Sequence, residues 1–104
     1  MFIRRLFSTL LLASVAAISA QAADIGVRTL SVPAPERGRD LAVTVWYPAG
    51  DGGTPTMIGD NRLFKGAAAH ENAPIAEGRF PLVLLSHGSG ARVEAMSWLA
   101  TALA

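Results

Sequence analysis

Cysteine is absent from this chain. Its absence excludes disulfide staples, thiolate metal sites and a lipid-anchored lipoprotein start. A surplus of one charge is also lacking: nine Lys and Arg stand against eight Asp and Glu. Arg4 and Arg5 are two of those nine, so the rest of the chain holds seven basic against eight acidic side chains. No basic patch is left for nucleic acid or an anionic membrane surface. Repeats are missing, and Asp51, Asp60, Glu71 and Glu77 do not fall at metal-ligand spacing. They read as solvated charges, with no metal and no cofactor implied.

A long apolar run is lacking too. Leu6 to Ile18 is uncharged but falls short of the ~20 residues that span a bilayer. Behind Arg4-Arg5 and ahead of Ala20-Gln21-Ala22 it has the layout of a secretory signal peptide. Residues 1–22 are expected to be removed, leaving a mature start at Ala23 and no stable membrane association. Arg4-Arg5-Leu6-Phe7 partly resembles a twin-arginine signal, but Ile3 precedes it where a small hydroxyl residue is usual. Ordinary secretion is the expectation, and the location is periplasmic or extracellular.

Ile25 to Val32 reads as a strand, with Ile25 and Val27 alternating with Gly26 and Arg28. Pro33 to Asp40 is a turn. Leu41 to Tyr47 is a clearer strand, with Leu41, Val43, Val45 and Tyr47 on one face and Ala42, Thr44 and Trp46 on the other. The two are expected to pair as an antiparallel hairpin. Pro48 is expected to stop the second strand. Residues 48–79 then read as a long loop with little pattern, apart from a helical turn over Asn61 to Lys65 that buries Leu63 and Phe64. A loop longer than about 15 residues is uncommon in a compact domain. Those proportions suit a larger protein.

Leu82 to Ser86 is a continuous apolar run and does not alternate, the signature of a strand buried on both faces. His87-Gly88-Ser89-Gly90 follows as a tight turn. Met96, Leu99, Ala100 and Leu103 then fall at helical spacing, so a helix is expected from about Ala91 to Val93 onward. No Gly, Asn or Pro follows Leu103, and the helix is expected to continue past Ala104. Hairpin, loop, buried strand, glycine turn and helix is the order in which an α/β sheet begins.

The chemistry gathers at the glycine turn. Glycine lets backbone N–H groups approach a ligand closely, beside the positive end of the helix. Acyl transfer needs such donors aimed at the oxyanion that develops on the substrate carbonyl.

Val45-Trp46-Tyr47-Pro48, then Phe80 to Gly90, then Ser97-Trp98-Leu99-Ala100, resembles the N-terminal part of dienelactone-hydrolase-like and platelet-activating-factor-acetylhydrolase-like α/β-hydrolases. The resemblance covers Ile25 to Ala104. It implies the N-terminal portion of an α/β-hydrolase domain over residues 23–104, incomplete. It implies that the Ser89 N–H is an oxyanion-hole donor, that Gly88 and Gly90 shape the turn, and that His87 structures the loop without being the catalytic histidine. An intact relative would cleave a small-molecule ester or lactone with a Ser-His-Asp triad.

This chain has no Gly-x-Ser-x-Gly. Ser89 is not that nucleophile, because the positions two residues to either side are His87 and Ala91 rather than glycine. No nucleophile is therefore assigned. His70 reads as a solvated loop histidine, Gly50, Gly52 and Gly53 lack the strand–helix setting of a dinucleotide loop, and Arg92 reads as solvated. Trp46 and Trp98 read as core or interface residues. The competing readings are a small secreted binding or structural module and a non-functional gene remnant. The hydrolase-segment reading expects Leu82 to Ser86 and the helix face at Met96, Leu99 and Leu103 to lack cover.

Overall fold

A computed structural model describes residues 24–104. The expected signal peptide over residues 1–22, with its Arg4-Arg5 pair, and the expected mature start at Ala23 lie outside the described residues. The chain forms a small mixed α/β domain: a four-stranded mixed sheet and one C-terminal helix.

Strands β1 (Asp24–Val32) and β2 (Leu41–Ala49) pair antiparallel along their whole length, from Asp24 opposite Ala49 to Val32 opposite Leu41. This is the expected hairpin. Its connection is a 3-10 turn over Pro35–Arg37, closed by Gly38 in the left-handed region at φ 67°.

Pro48 does not end β2. Its carbonyl accepts the Ala76 N–H at 2.9 Å, and the Gly50 N–H donates to the Pro74 carbonyl at 2.9 Å. Within an antiparallel ladder one residue's N–H and C=O point to the same side. The backbone groups of residue 48 therefore face away from β1, and the N–H that proline lacks would have pointed off the ladder. An edge strand tolerates proline at such a position.

The stretch after β2 is not patternless. It holds β3 (Thr54–Ile58) and β4 (Ala67–Glu71), which pair antiparallel with each other. β4 also lies parallel to β1, with Gly26 opposite His70 and Val27 opposite Glu71, giving the order β2-β1-β4-β3. Ala67, Ala68 and Ala69 carry little β signal, but small side chains let the helix lie close over β4, and Ala69 is buried. Pro55 is accommodated because β3 is an edge.

The helical turn expected over Asn61 to Lys65 does not form. The Asn61 Oδ1 accepts the N–H groups of Leu63 and Phe64 at 2.9 and 3.0 Å, a local alternative to helix. Leu63 and Phe64 are exposed rather than buried.

The two faces of the sheet are covered differently. Val27, Thr44, Trp46, Ala69 and Glu71 share one face. The 3-10 turn Val93–Met96 and helix α1 (Ser97–Leu103) lie over it, with Gly59 against the Glu94 carbonyl and the Ser97 hydroxyl. On the other face Tyr47 lies across Gly26 and packs with Ala49 and Ala73. Its hydroxyl donates to the Ala73 carbonyl at 2.7 Å. The far end of that face is bare: Leu30, Val32 and Leu41 are exposed.

Leu82 to Ser86 is not a buried strand. It carries no strand pairing, and Leu82 and Leu84 are 84% and 87% exposed. A non-alternating apolar strand needs neighbours on both edges and cover on both faces. Among the described residues it has neither.

Candidate functional site

The His87-Gly88-Ser89-Gly90 turn is present as a local structure. The Ala91 N–H donates to the Gly88 carbonyl at 3.1 Å, closing a four-residue turn. Gly90 stands third in it at φ 76°, a left-handed conformation that a side chain resists. A type II turn has this arrangement, with glycine at its third position. His87 Nδ1 lies 3.0 Å from the same Gly88 carbonyl, so the imidazole braces the loop. Ser89 occupies the outer corner. No acceptor among the described residues takes its N–H.

The setting differs from the expected one in two respects. The turn does not follow a sheet strand. Nor does it abut the helix N-terminus: Ala91 and Arg92 intervene, then the 3-10 turn, and α1 begins only at Ser97 with seven residues. A helix dipole adds little at these N–H groups, since it is felt only within its own first turn. Residues 80–92 are all exposed. In water a backbone donor has little preference for an oxyanion; the same donor in a dry cleft stabilises it by ~3 kcal/mol.

The flanking charges are local. Arg92 Nε donates to Glu94 Oε2 at 3.3 Å, an exposed pair. The Glu94 carboxyl is held below its usual range, first by a hydrogen bond with its own backbone N–H and then by Arg92. Arg92 is thus solvated as expected, though tied to Glu94.

His70 corrects the reading of a solvated loop histidine. It lies in β4 beside Gly26, with Nδ1 buried and unpartnered among the described residues. The register of β4 put it there, and no sequence signal marked that strand. Trp98 is also not a core residue, being 69% exposed. Trp46 is half-buried, its Nε1 without a partner among the described residues. It lines a shallow pocket of about 140 Å³ together with Val27, Thr44, Glu71 and Glu94. His87 to Gly90 do not line that pocket.

Asp51, Asp60, Glu71 and Glu77 are exposed, and no three His, Asp or Glu among the described residues gather as metal ligands. No described helix is long and apolar enough to cross a membrane. Comparison with protein-family models, with curated proteins and with solved structures finds no match.

Proposed function

We propose that this chain is an N-terminal segment of an exported α/β-hydrolase acting on carboxylic esters or lactones. Its contribution is the oxyanion-hole loop His87 to Gly90, with the Ser89 N–H as donor. Gly88 and Gly90 give the turn its shape, and His87 braces it. The nucleophile, acid and base belong to polypeptide outside this sequence, since activity needs all three within hydrogen-bond reach. The observation that carries this reading is the turn itself: a glycine at φ 76°, a closing bond at 3.1 Å, and an outward donor at its corner.

The exposure of Leu82 to Leu85 supports the same reading. Four consecutive large apolar residues in water are a poor surface for a self-contained binding module. Strands on either side and helices above would bury them and dry the adjoining donor loop. The helix stripe agrees in part. Ala100 is buried against the sheet, while Leu103 remains 53% exposed.

The test starts from the coding sequence beyond codon 104. A continuing frame with Gly-x-Ser-x-Gly, then Asp and then His, is expected. In that longer product Ser89→Pro is the decisive variant. Position 89 is the second residue of a type II turn, where proline fits, so the fold is kept while the N–H is lost. Turnover of an aryl ester is expected to fall about 10²–10³-fold in kcat. Ser89→Ala, which keeps the N–H, is expected to leave it unchanged. Aryl-ester turnover by the 104-residue chain alone, or equal activity of the proline and alanine variants, would sink the reading.

A further inference from the structure

We infer that the outer edge of β2 is an interaction surface for a second copy of this chain, joined edge to edge about a two-fold axis at Thr44. The backbone groups of β2 alternate in direction along the strand. Residues 48 and 50 bond outward to the 74–76 segment, so the N–H and C=O groups of Ala42, Thr44 and Trp46 point the same way. Beyond the bonds to residues 74–76, no strand pairing or backbone hydrogen bond among the described residues reaches that edge.

The edge has none of the usual protection. Leu41 to Ala49 contains no charged residue, and its proline stands past the exposed part. Natural edge strands are normally blunted by lysine, a bulge, proline or a covering element. The opposite edge of the sheet shows the contrast, since β3 carries Pro55 in a five-residue strand.

Charge and shape both favour self-pairing. An uncharged strand meets its own copy without like-charge repulsion. Antiparallel pairing with Thr44 opposite Thr44 sets Ala42 against Trp46, Val43 against Val45 and Leu41 against Tyr47. Trp46, the largest side chain of the strand, then has Ala42 across from it. Odd-numbered residues stay on one face in both copies, because a two-fold axis conserves the period of two. The bare apolar face carrying Leu30, Val32 and Leu41 is thereby extended across the joint, with Leu41 beside the Tyr47 ring of the second copy. All three outward-facing residues of each copy find backbone partners. Pro48, lacking an N–H and already engaged by Ala76, ends the pairing.

The full 104-residue chain tests this by sedimentation and by circular dichroism at micromolar concentration. The parent chain is expected to sediment as a dimer. Thr44→Lys is expected to be monomeric and folded, since two lysines would stand directly opposite. An equimolar mixture of Thr44→Lys and Thr44→Glu chains is expected to restore the dimer. A monomeric parent, or a Thr44→Lys chain that associates like the parent, overturns the inference. Should the lysine variant lose its fold, Thr44→Cys decides. The chain has no other cysteine, and a hydrogen-bonded antiparallel pair has Cα atoms ~5.5 Å apart, within disulfide range. Oxidation is then expected to give a cross-linked dimer. Association without a cross-link assigns the edge to another occupant, such as the 82–85 run of a neighbour, and overturns the two-fold pairing.

Discussion

Gly26→Ala probes a glycine at which the sheet and its small core meet. Gly26 lies opposite Tyr47 in the ladder, and the tyrosine ring rests on its backbone. A Cβ at position 26 would stand 2.6 Å from the ring Cζ and 2.9 Å from Cδ2. The ring must leave. It cannot slide freely, because its hydroxyl donates to the Ala73 carbonyl at 2.7 Å and the Arg28 guanidinium lies 5.8 Å from its centroid.

Overpacking of this kind costs about 1–3 kcal/mol. Ala73 is fully buried, and a buried carbonyl left without its donor costs about 1–3 kcal/mol more. Against this, replacing glycine inside a strand recovers about 0.5–1 kcal/mol of backbone entropy. A net loss of about 2–3 kcal/mol is expected. A small domain has a total stability near the low end of about 5–15 kcal/mol, so the loss is a large share.

Urea unfolding of the full chain, followed by tryptophan fluorescence at fixed protein concentration, reads the effect. With a slope of about 1 kcal/mol per molar urea, the midpoint should fall by about 2 M. The control is the same substitution in a Tyr47→Val background, where the strand keeps a β-branched residue but the ring is gone. There Gly26→Ala should cost nothing, giving a coupling of about 2 kcal/mol between the two positions. A midpoint within 0.5 M (roughly 0.5 kcal/mol by the same slope) of the parent would show that the ring yields without cost. An equal penalty with and without the ring would show that the ring is not its cause.

The Glu94 carboxyl titrates below the ordinary carboxylate range, so its contribution to the fold is present above the unfolded value and is lost as pH falls through the lowered folded one. A carboxyl NMR titration should show the depressed value. Arg92→Gln should restore it only in part, because the backbone hydrogen bond is the larger cause; full restoration would contradict that ranking. Leu84→Asp should leave the unfolding free energy within about 0.5 kcal/mol of the parent, since Leu84 is 87% exposed. The same substitution should reduce turbidity on concentration. A large loss of stability would show that the run is covered.

Local pattern and tertiary structure divided the fold between them. The β1–β2 hairpin was legible because its alternation and its turn residues are short-range and agree with each other. The closing glycine turn was legible for the same reason: a φ of 76° at Gly90 is a requirement that residue type alone meets. β3 and β4 were not legible. Three alanines carry almost no strand propensity, and only the close approach of the helix and the parallel pairing with β1 make a strand there the favourable arrangement. Pro48 misled for a related reason. Its missing N–H matters only on the side that faces a partner, and that side is fixed by the register with β1.

Leu82 to Ser86 marks the boundary most clearly. Its preference for an apolar, doubly covered environment is legible from the residues, because that preference is a property of the side chains. That the described residues do not provide it emerges from the fold alone, because burial of a strand depends on what lies to its left, right, above and below. The sequence likewise settled what the chain does not contain: no cysteine, no nucleophile elbow and no surplus charge. Tertiary structure decided where its backbone groups are left open, at the Ser89 corner and along the β2 edge, because hydrogen-bond direction is set by pairing and not by residue type.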